Sequence, residues 1–145
     1  MKRIITVLII LVLAGAAFTA CSKMRGGSEN PLQITDAWAR PGQAGATSAV
    51  YFVINNGGDE DTLLSASTSS AERAELHMSR MEGDTMMMQP QENVPLPEKS
   101  TVEFKPGGLH IMLVNLRKNI TAGENLIISL NFEKAGTIQI EAPVR

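Results

Sequence analysis

The chain has 145 residues, 13 basic and 15 acidic side chains, two histidines and one cysteine, with 43% hydrophobic but only 4% aromatic residues. That length fits about one domain, no clustered basic face argues for nucleic acid, and a single cysteine rules out a core stapled by internal disulfides. The core must therefore rest on Leu, Ile and Val.

The chain opens with MKR and an unbroken apolar and small-residue run, IITVLIILVLAGAAFTA, which has the basic n-region and h-region of a secretory signal. The run is at the short end of the roughly 17 to 25 residues that a spanning helix needs, and it ends in small residues before Cys21. Both features favour removal of residues 1–20 over a retained membrane span. FTAC, residues 18–21, resembles the bacterial lipobox, although Phe18 stands where leucine is usual. Lipidation of Cys21 would make it the mature N-terminus, dispose of a lone thiol in an exported protein, and anchor a periplasmic or cell-surface domain to a membrane. SKMRGGSENP, residues 22–31, has the small, polar composition of a flexible tether, and residues 32–145 form the expected domain. Loss of Lys2 and Arg3 leaves 11 basic against 15 acidic residues, a formal charge of −4. A basic membrane-binding patch is not expected on such a surface.

From Leu32 onward the pattern is of short strands punctuated by turn residues, with no sustained helical period. AVYFVINN, from Ala49, reads as a strand buried on both faces and closed by NNGG. VEF, Val102–Phe104, stops at the turn Pro106–Gly108. LIISLNF sends Leu126, Ile128, Leu130 and Phe132 to one face, and TIQIEAPV does the same with Ile138, Ile140 and Ala142. EKAG joins them, which predicts a terminal hairpin. The expected fold is all-β, an antiparallel sandwich or barrel. Trp38, the only tryptophan, is expected to cover one end of the core, with a cation–π contact to a bound metal as the alternative.

The remaining signal is a cluster of histidine and methionine. Both histidines, His77 and His110, and six of eight methionines lie between His77 and Met112. Methionines alone favour core packing or a protein-binding patch over a metal site. Strand alternation adds to this. In GLHIMLVNL it puts His110 and Met112 on one face, opposite Leu109, Ile111 and Leu113. In RAELHMSR it puts Glu75, His77 and Ser79 opposite Ala74, Leu76 and Met78, so Met78 should point into the core. In DTMMMQP, Met86 and Met88 share a face and Met87 takes the other. Three strands can thus offer His77, Met88, His110 and Met112 to one point. Thioether with imidazole selects Cu(I) over zinc, calcium or magnesium. Outside the cytoplasm such a donor set also escapes the disulfide formation that would close a two-cysteine site.

The spacing His77, ten residues, Met88, twenty-one residues, His110, one residue, Met112 resembles the fingerprint of the periplasmic PCu(A)C copper chaperones. DAWARP, AVYFVINNGG, TLLSASTSSAERAELHM, FKPGGLHIMLVNL and NFEKAG extend the similarity across nearly the whole domain. The resemblance implies a cupredoxin-like β-sandwich of Greek-key type that binds one Cu(I) through those four residues. It also implies delivery of copper to the dinuclear centre in subunit II of cytochrome c oxidase, beside a Sco-type thiol protein. Met78, Met81 and Met86 match methionines common in the family and are candidate accessory ligands. The chain ends at EAPVR without the His- and Met-rich tail that binds Cu(II) in some members, which argues against a second site of that kind.

Other classes fit less well. A blue-copper electron carrier needs a cysteine ligand, which Cys21 cannot supply from the anchor, and no hydrolase motif such as G-x-S-x-G is present. The protein is therefore expected not to be an enzyme. The alternative that remains is a β-sandwich lipoprotein whose methionine-rich face binds another protein without metal. Because imidazole binds metal only when neutral, the copper reading predicts that Cu(I) is released as pH falls toward and below about 6.5. A competition titration checks this, and an affinity unchanged from about pH 7 to pH 5 would remove the histidines from the site.

Overall fold

The computed structural model describes residues 31–145, so the expected signal segment, Cys21 and most of the tether lie outside the described residues. Ten strands follow in order: β1 Leu32–Ala39, β2 Ser48–Asn56, β3 Asp61–Ser67, β4 Ala71–Glu82, β5 Thr85–Pro90, β6 Val94–Leu96, β7 Ser100–Phe104, β8 Leu109–Leu116, β9 Asn125–Phe132 and β10 Gly136–Pro143. There is no helix among the described residues.

All ten strands belong to one sheet with the order β1-β2-β7-β8-β4-β3-β9-β10, to which β5 adds beside β4 and β6 beside β3. Nearly every pairing is antiparallel. The sheet curls until its ends meet, where Ala39 bridges Val144 and Arg145 N–H donates to the Ala39 carbonyl at 3.0 Å. The expected cupredoxin-like sandwich is therefore two halves of one nearly closed sheet.

The alternation that identified the strands also fills the interior. Leu126, Ile128, Leu130 and Phe132 are all buried on β9, and β10 pairs with it in unbroken register from Gly136 opposite Phe132 to Pro143 opposite Asn125. β2 is buried almost throughout, and its Phe52 stacks on Phe104 of β7 with ring centres 4.3 Å apart. Met78 departs from expectation. Alternation places it on the Leu76 side of β4, but it is only half-buried and lies outside the main core cluster. The core ends before it because β4 runs on past β8, whose last partner on that side is Leu109 opposite Met78.

Trp38 is positioned by a feature the sequence pattern hides. The β1–β2 register shifts between Thr35 and Trp38, at Asp36 with φ 54°, and this bulge sets Trp38 opposite Tyr51. The indole is half-buried against the Tyr51 ring at 4.6 Å, and the Arg145 guanidinium lies 5.1 Å over it. The cation over Trp38 is thus an arginine of the chain itself.

Asp61, the first residue of β3, ties one end of the molecule together. Its buried carboxylate accepts from the backbone N–H groups of Thr62 at 2.7 Å and of Lys134 and Ala135 at 2.9 Å, which holds the turn between β9 and β10. Burial alone would raise its pKa, but those backbone donors, with help from the Lys134 charge, bring it below the ordinary value. At the same end Asn56 donates to the carbonyls of Asp59 and Pro97. Because the folded-state pKa is depressed, the stability supplied by the Asp61 carboxylate is present above its ordinary value of 3.8 and is lost as pH falls through the lower folded value. Asp61→Asn should cost about 1.5–3 kcal/mol at pH 7. The gap between variant and parent in urea unfolding should shrink as the pH falls below 3.8.

Candidate metal centre

The other end of β2 carries a different chemistry. A cavity of about 330 Å³ is lined there by Ser48, Ala49 and Tyr51 of β2, His110 and Met112 of β8, Ser79 of β4, and Met86 and Met88 of β5, with Arg40 at its edge. From Ser48 to Asn56 the strand spans about 26 Å, so this cavity and the Asp61 turn sit at opposite ends of β2.

The β4–β8 register builds the site. It sets His77 opposite His110 and Glu75 opposite Met112, while Ala49 of β2 flanks Met112 on its other side. Because i and i+2 share a strand face, Glu75, His77, His110 and Met112 form one patch. The row continues across the sheet. Tyr51 lies 6.3 Å from the His110 ring, and the His110 ring lies 5.8 Å from that of His77. His77 stands beside the cavity behind His110, with only 9% of the residue exposed.

Each imidazole has one nitrogen tied and one uncommitted. His77 Nε2 lies 3.0 Å from Glu75 Oε2, and Glu75 is held in turn by Arg73 Nε at 2.9 Å. The hydrogen bond from His77, followed by that from Arg73, keeps the Glu75 carboxyl below its ordinary pKa, so it is ionised and can only accept. Nε2 therefore carries the proton. That leaves His77 Nδ1 as the only buried side-chain nitrogen or oxygen among the described residues with no hydrogen-bond partner. Leaving such an atom unsatisfied costs about 1–3 kcal/mol. In His110 the roles are reversed: Nδ1 is 3.0 Å from the Gly108 carbonyl, must donate to it, and leaves the Nε2 lone pair open.

This arrangement fits a metal ion. An ion bonded at about 2 Å to one nitrogen of each ring puts the ring centres about 5 to 6 Å apart, and the rings here are separated by 5.8 Å. The partners Glu75 and the Gly108 carbonyl are of the kind that fix tautomer and orientation in metal-binding histidines. No group of three or more His, Cys, Asp or Glu capable of holding a metal exists among the described residues, and the further soft donors that the cavity offers are the thioether sulfurs of Met86, Met88 and Met112.

The methionines separate clearly. Met88 and Met112 line the cavity with His110, and Met86 joins them. Met88 and Met86 are 55% and 52% exposed, because among the described residues β5 pairs with β4 alone and carries them on an open flap. Met81 is 60% exposed farther out, whereas Met78 and Met87 lie on the other face of the hairpin. Sequence reasoning had not assigned roles to Glu75, Tyr51 or Ser79. Glu75 was legible as the residue two before His77 on the same face, but Tyr51 comes from a strand far away in sequence. A larger cavity of about 480 Å³ at the opposite end includes Asp61, whose carboxylate is already committed to backbone donors.

Comparison with known proteins agrees with this architecture. A family model described as "Putative lipoprotein LpqE-like" matches residues 32–144. A curated relative, "Putative lipoprotein Lxx21020" of Leifsonia xyli subsp. xyli, is 30% identical over 140 residues, covering 94% of this chain and 84% of its own. Among solved structures, the copper-bound PCuAC domain from PmoF2 is 26% identical with a TM-score of 0.68, covering 79% of this chain and 92% of that domain. The apo PCuAC domain from PmoF1 is similarly close, at 26% and 0.67, covering 79% of this chain and 93% of that one. Cu(I)-bound DR1885 from Deinococcus radiodurans, at 23% identity, has the same fold with a TM-score of 0.62, covering 92% of each chain. The fold is that of PCuAC domains.

The two imidazoles should be fixed in opposite tautomers without any metal. Long-range proton–nitrogen correlation spectra at mildly alkaline pH should show His77 protonated on Nε2 and His110 on Nδ1, and Glu75→Ala should release His77 alone into a mixture. A single common tautomer would contradict the hydrogen bonding described.

Proposed function

We propose, from the premise that the chain belongs to the LpqE-like lipoprotein family, that it is an extracytoplasmic copper chaperone. It binds one Cu(I) through His77, Met88, His110 and Met112 and hands it on without catalytic turnover. The observation that carries this reading is the opposed pair of buried imidazoles, each with one uncommitted nitrogen, beside two thioethers at one cavity. All four donors are neutral and two are soft, a set that favours Cu(I) over harder divalent ions. The copper-bound PCuAC domain from PmoF2 supports the choice of metal.

The site is built unevenly, which suits transfer. The two histidines are almost wholly buried and held by partners, whereas Met88 is more than half exposed on its flap. An acceptor's ligand can displace Met88 first and the histidines last, so the ion need never be free. The acceptor we assign, on the strength of the His-x10-Met-x21-His-x-Met spacing, is the dinuclear copper centre in subunit II of cytochrome c oxidase, with a Sco-type thiol protein alongside. Lipidation at Cys21 after removal of residues 1–20 would hold the 32–145 domain at the membrane where that centre is assembled.

A second reading, a metal-free protein-binding face, draws on the exposure of Met81, Met86, Met87 and Met88. Cu(I) competition titration separates the two. The parent protein should bind one equivalent. His77→Ala and His110→Ala should abolish stoichiometric binding, and Glu75→Ala should weaken it by about 10- to 100-fold through loss of orientation. X-ray absorption of the loaded protein should show both nitrogen and sulfur neighbours. No stoichiometric binding by the parent, or binding unchanged in all three variants, would favour the second reading, and a shell without sulfur would remove Met88 and Met112 from the site.

A further inference from the structure

The β4–β5 hairpin carries more thioether than the four-donor site uses, and its register orders it. The two-residue loop Gly83–Asp84, with Gly83 at φ 63°, closes the hairpin between Glu82 and Thr85. The next rung inward, Met81 opposite Met86, is then a non-hydrogen-bonded pair, the kind in which facing side chains approach most closely. The following rung of that kind is Ser79 opposite Met88, and the one after it is His77 opposite Pro90. Met81, Met86 and Met88 consequently share one face of the hairpin with His77. Met87, opposite Arg80, belongs to the other face.

This order places three thioethers in a row that leads from the cavity to the tip. Met86 and Met88 already line the cavity, and Met81, 60% exposed, stands beside Met86 on the solvent side. Ser79 is small and buried, so nothing bulky stands opposite Met88 to separate the row from the histidines. Methionine side chains are long, unbranched and adaptable, and two facing plus one adjacent are within reach of a single soft ion.

We propose that Met81, Met86 and Met88 form an outer, all-thioether site for a soft monovalent cation, Cu(I) or Ag(I), which shares Met88 with the inner site. This rests on the copper-carrying reading and extends it. With no imidazole and no buried wall, the outer site binds more weakly than the inner one. Sharing Met88 lets the ion pass between the two by exchanging Met81 and Met86 for His77, His110 and Met112, with no change of oxidation state and no release to water. The hairpin tip is thereby the port through which copper is loaded and surrendered.

The test is a titration of the protein, labelled at its methionine methyl carbons and its histidine ring nitrogens, with Ag(I) up to two equivalents, followed by methyl and imidazole NMR. The first equivalent should shift Met88, Met112 and both imidazoles. The second should shift Met81 and Met86 and move Met88 again, leaving Met87 and Met78 in place. The isosteric variant Met81→Leu/Met86→Leu should lose the second step, keep the first, and take up copper from a thioether donor at least several-fold more slowly. Shifts of Met87 as large as those of Met81, or no second step, would overturn the outer site while leaving the inner one intact. Ag(I) that moves Met81, Met86 and Met88 but neither imidazole nor Met112 would support the outer site and overturn the inner one.

Discussion

The register between β4 and β8 is the constraint on which the rest of the site depends. It brings together two histidines that are 33 residues apart in sequence and sets them face to face. Since the side-chain period of a strand is two, a slip of one residue would turn one imidazole to the opposite face of the sheet. The slip is resisted by burial on that opposite face, where Leu76 is paired with Ile111 and Ala74 with Leu113 in the core. Polar ties add to it, because Arg117 binds back to the backbone at Ser70 and Ala71, and Asn115 reaches Glu72. Core packing on one side of the sheet is therefore what holds the donors together on the other.

The molecule divides its tasks along the length of β2. One end is closed by a buried carboxylate with three backbone donors and an asparagine bonded to the carbonyls around it. The other carries a cavity, an orphaned imidazole nitrogen and a two-stranded flap. An unsatisfied polar atom is tolerable at the second end because stability is supplied at the first. The row Trp38, Tyr51, His110, His77 runs across the strands at that second end, so the two donor imidazoles continue a line of packed rings.

Much of this was legible in the sequence where local pattern decides structure. The alternation of Leu126 to Phe132 fixed the buried face of β9, and EKAG fixed the hairpin that follows. The histidine and methionine two residues apart on β8 had to share a face. What alternation could not see was where the core stops. Met78 lies on the expected side of β4 but beyond the packed interior, so it is half-buried rather than internal. The bulge at Asp36 was equally hidden, because a single residue at positive φ leaves no compositional mark on β1. The tie from Glu75 to His77 needed only neighbouring residues, yet its meaning depends on Arg73 and on the uncommitted nitrogen, which only the folded geometry reveals.

The flap has one further consequence, for colloidal behaviour. Among the described residues β5 has β4 on one side and no strand on the other, so the N–H and C=O groups of that edge are a template for adding a foreign strand. Three consecutive exposed apolar residues on such an edge would invite aggregation if they were valine or isoleucine, whose branched side chains suit a pleated surface. Unbranched methionine lacks that preference, and Glu82, Asp84 and Pro90 bracket the run with charge and a missing donor. The same choice of side chain that offers sulfur to a soft ion thus keeps an open edge from joining its neighbours.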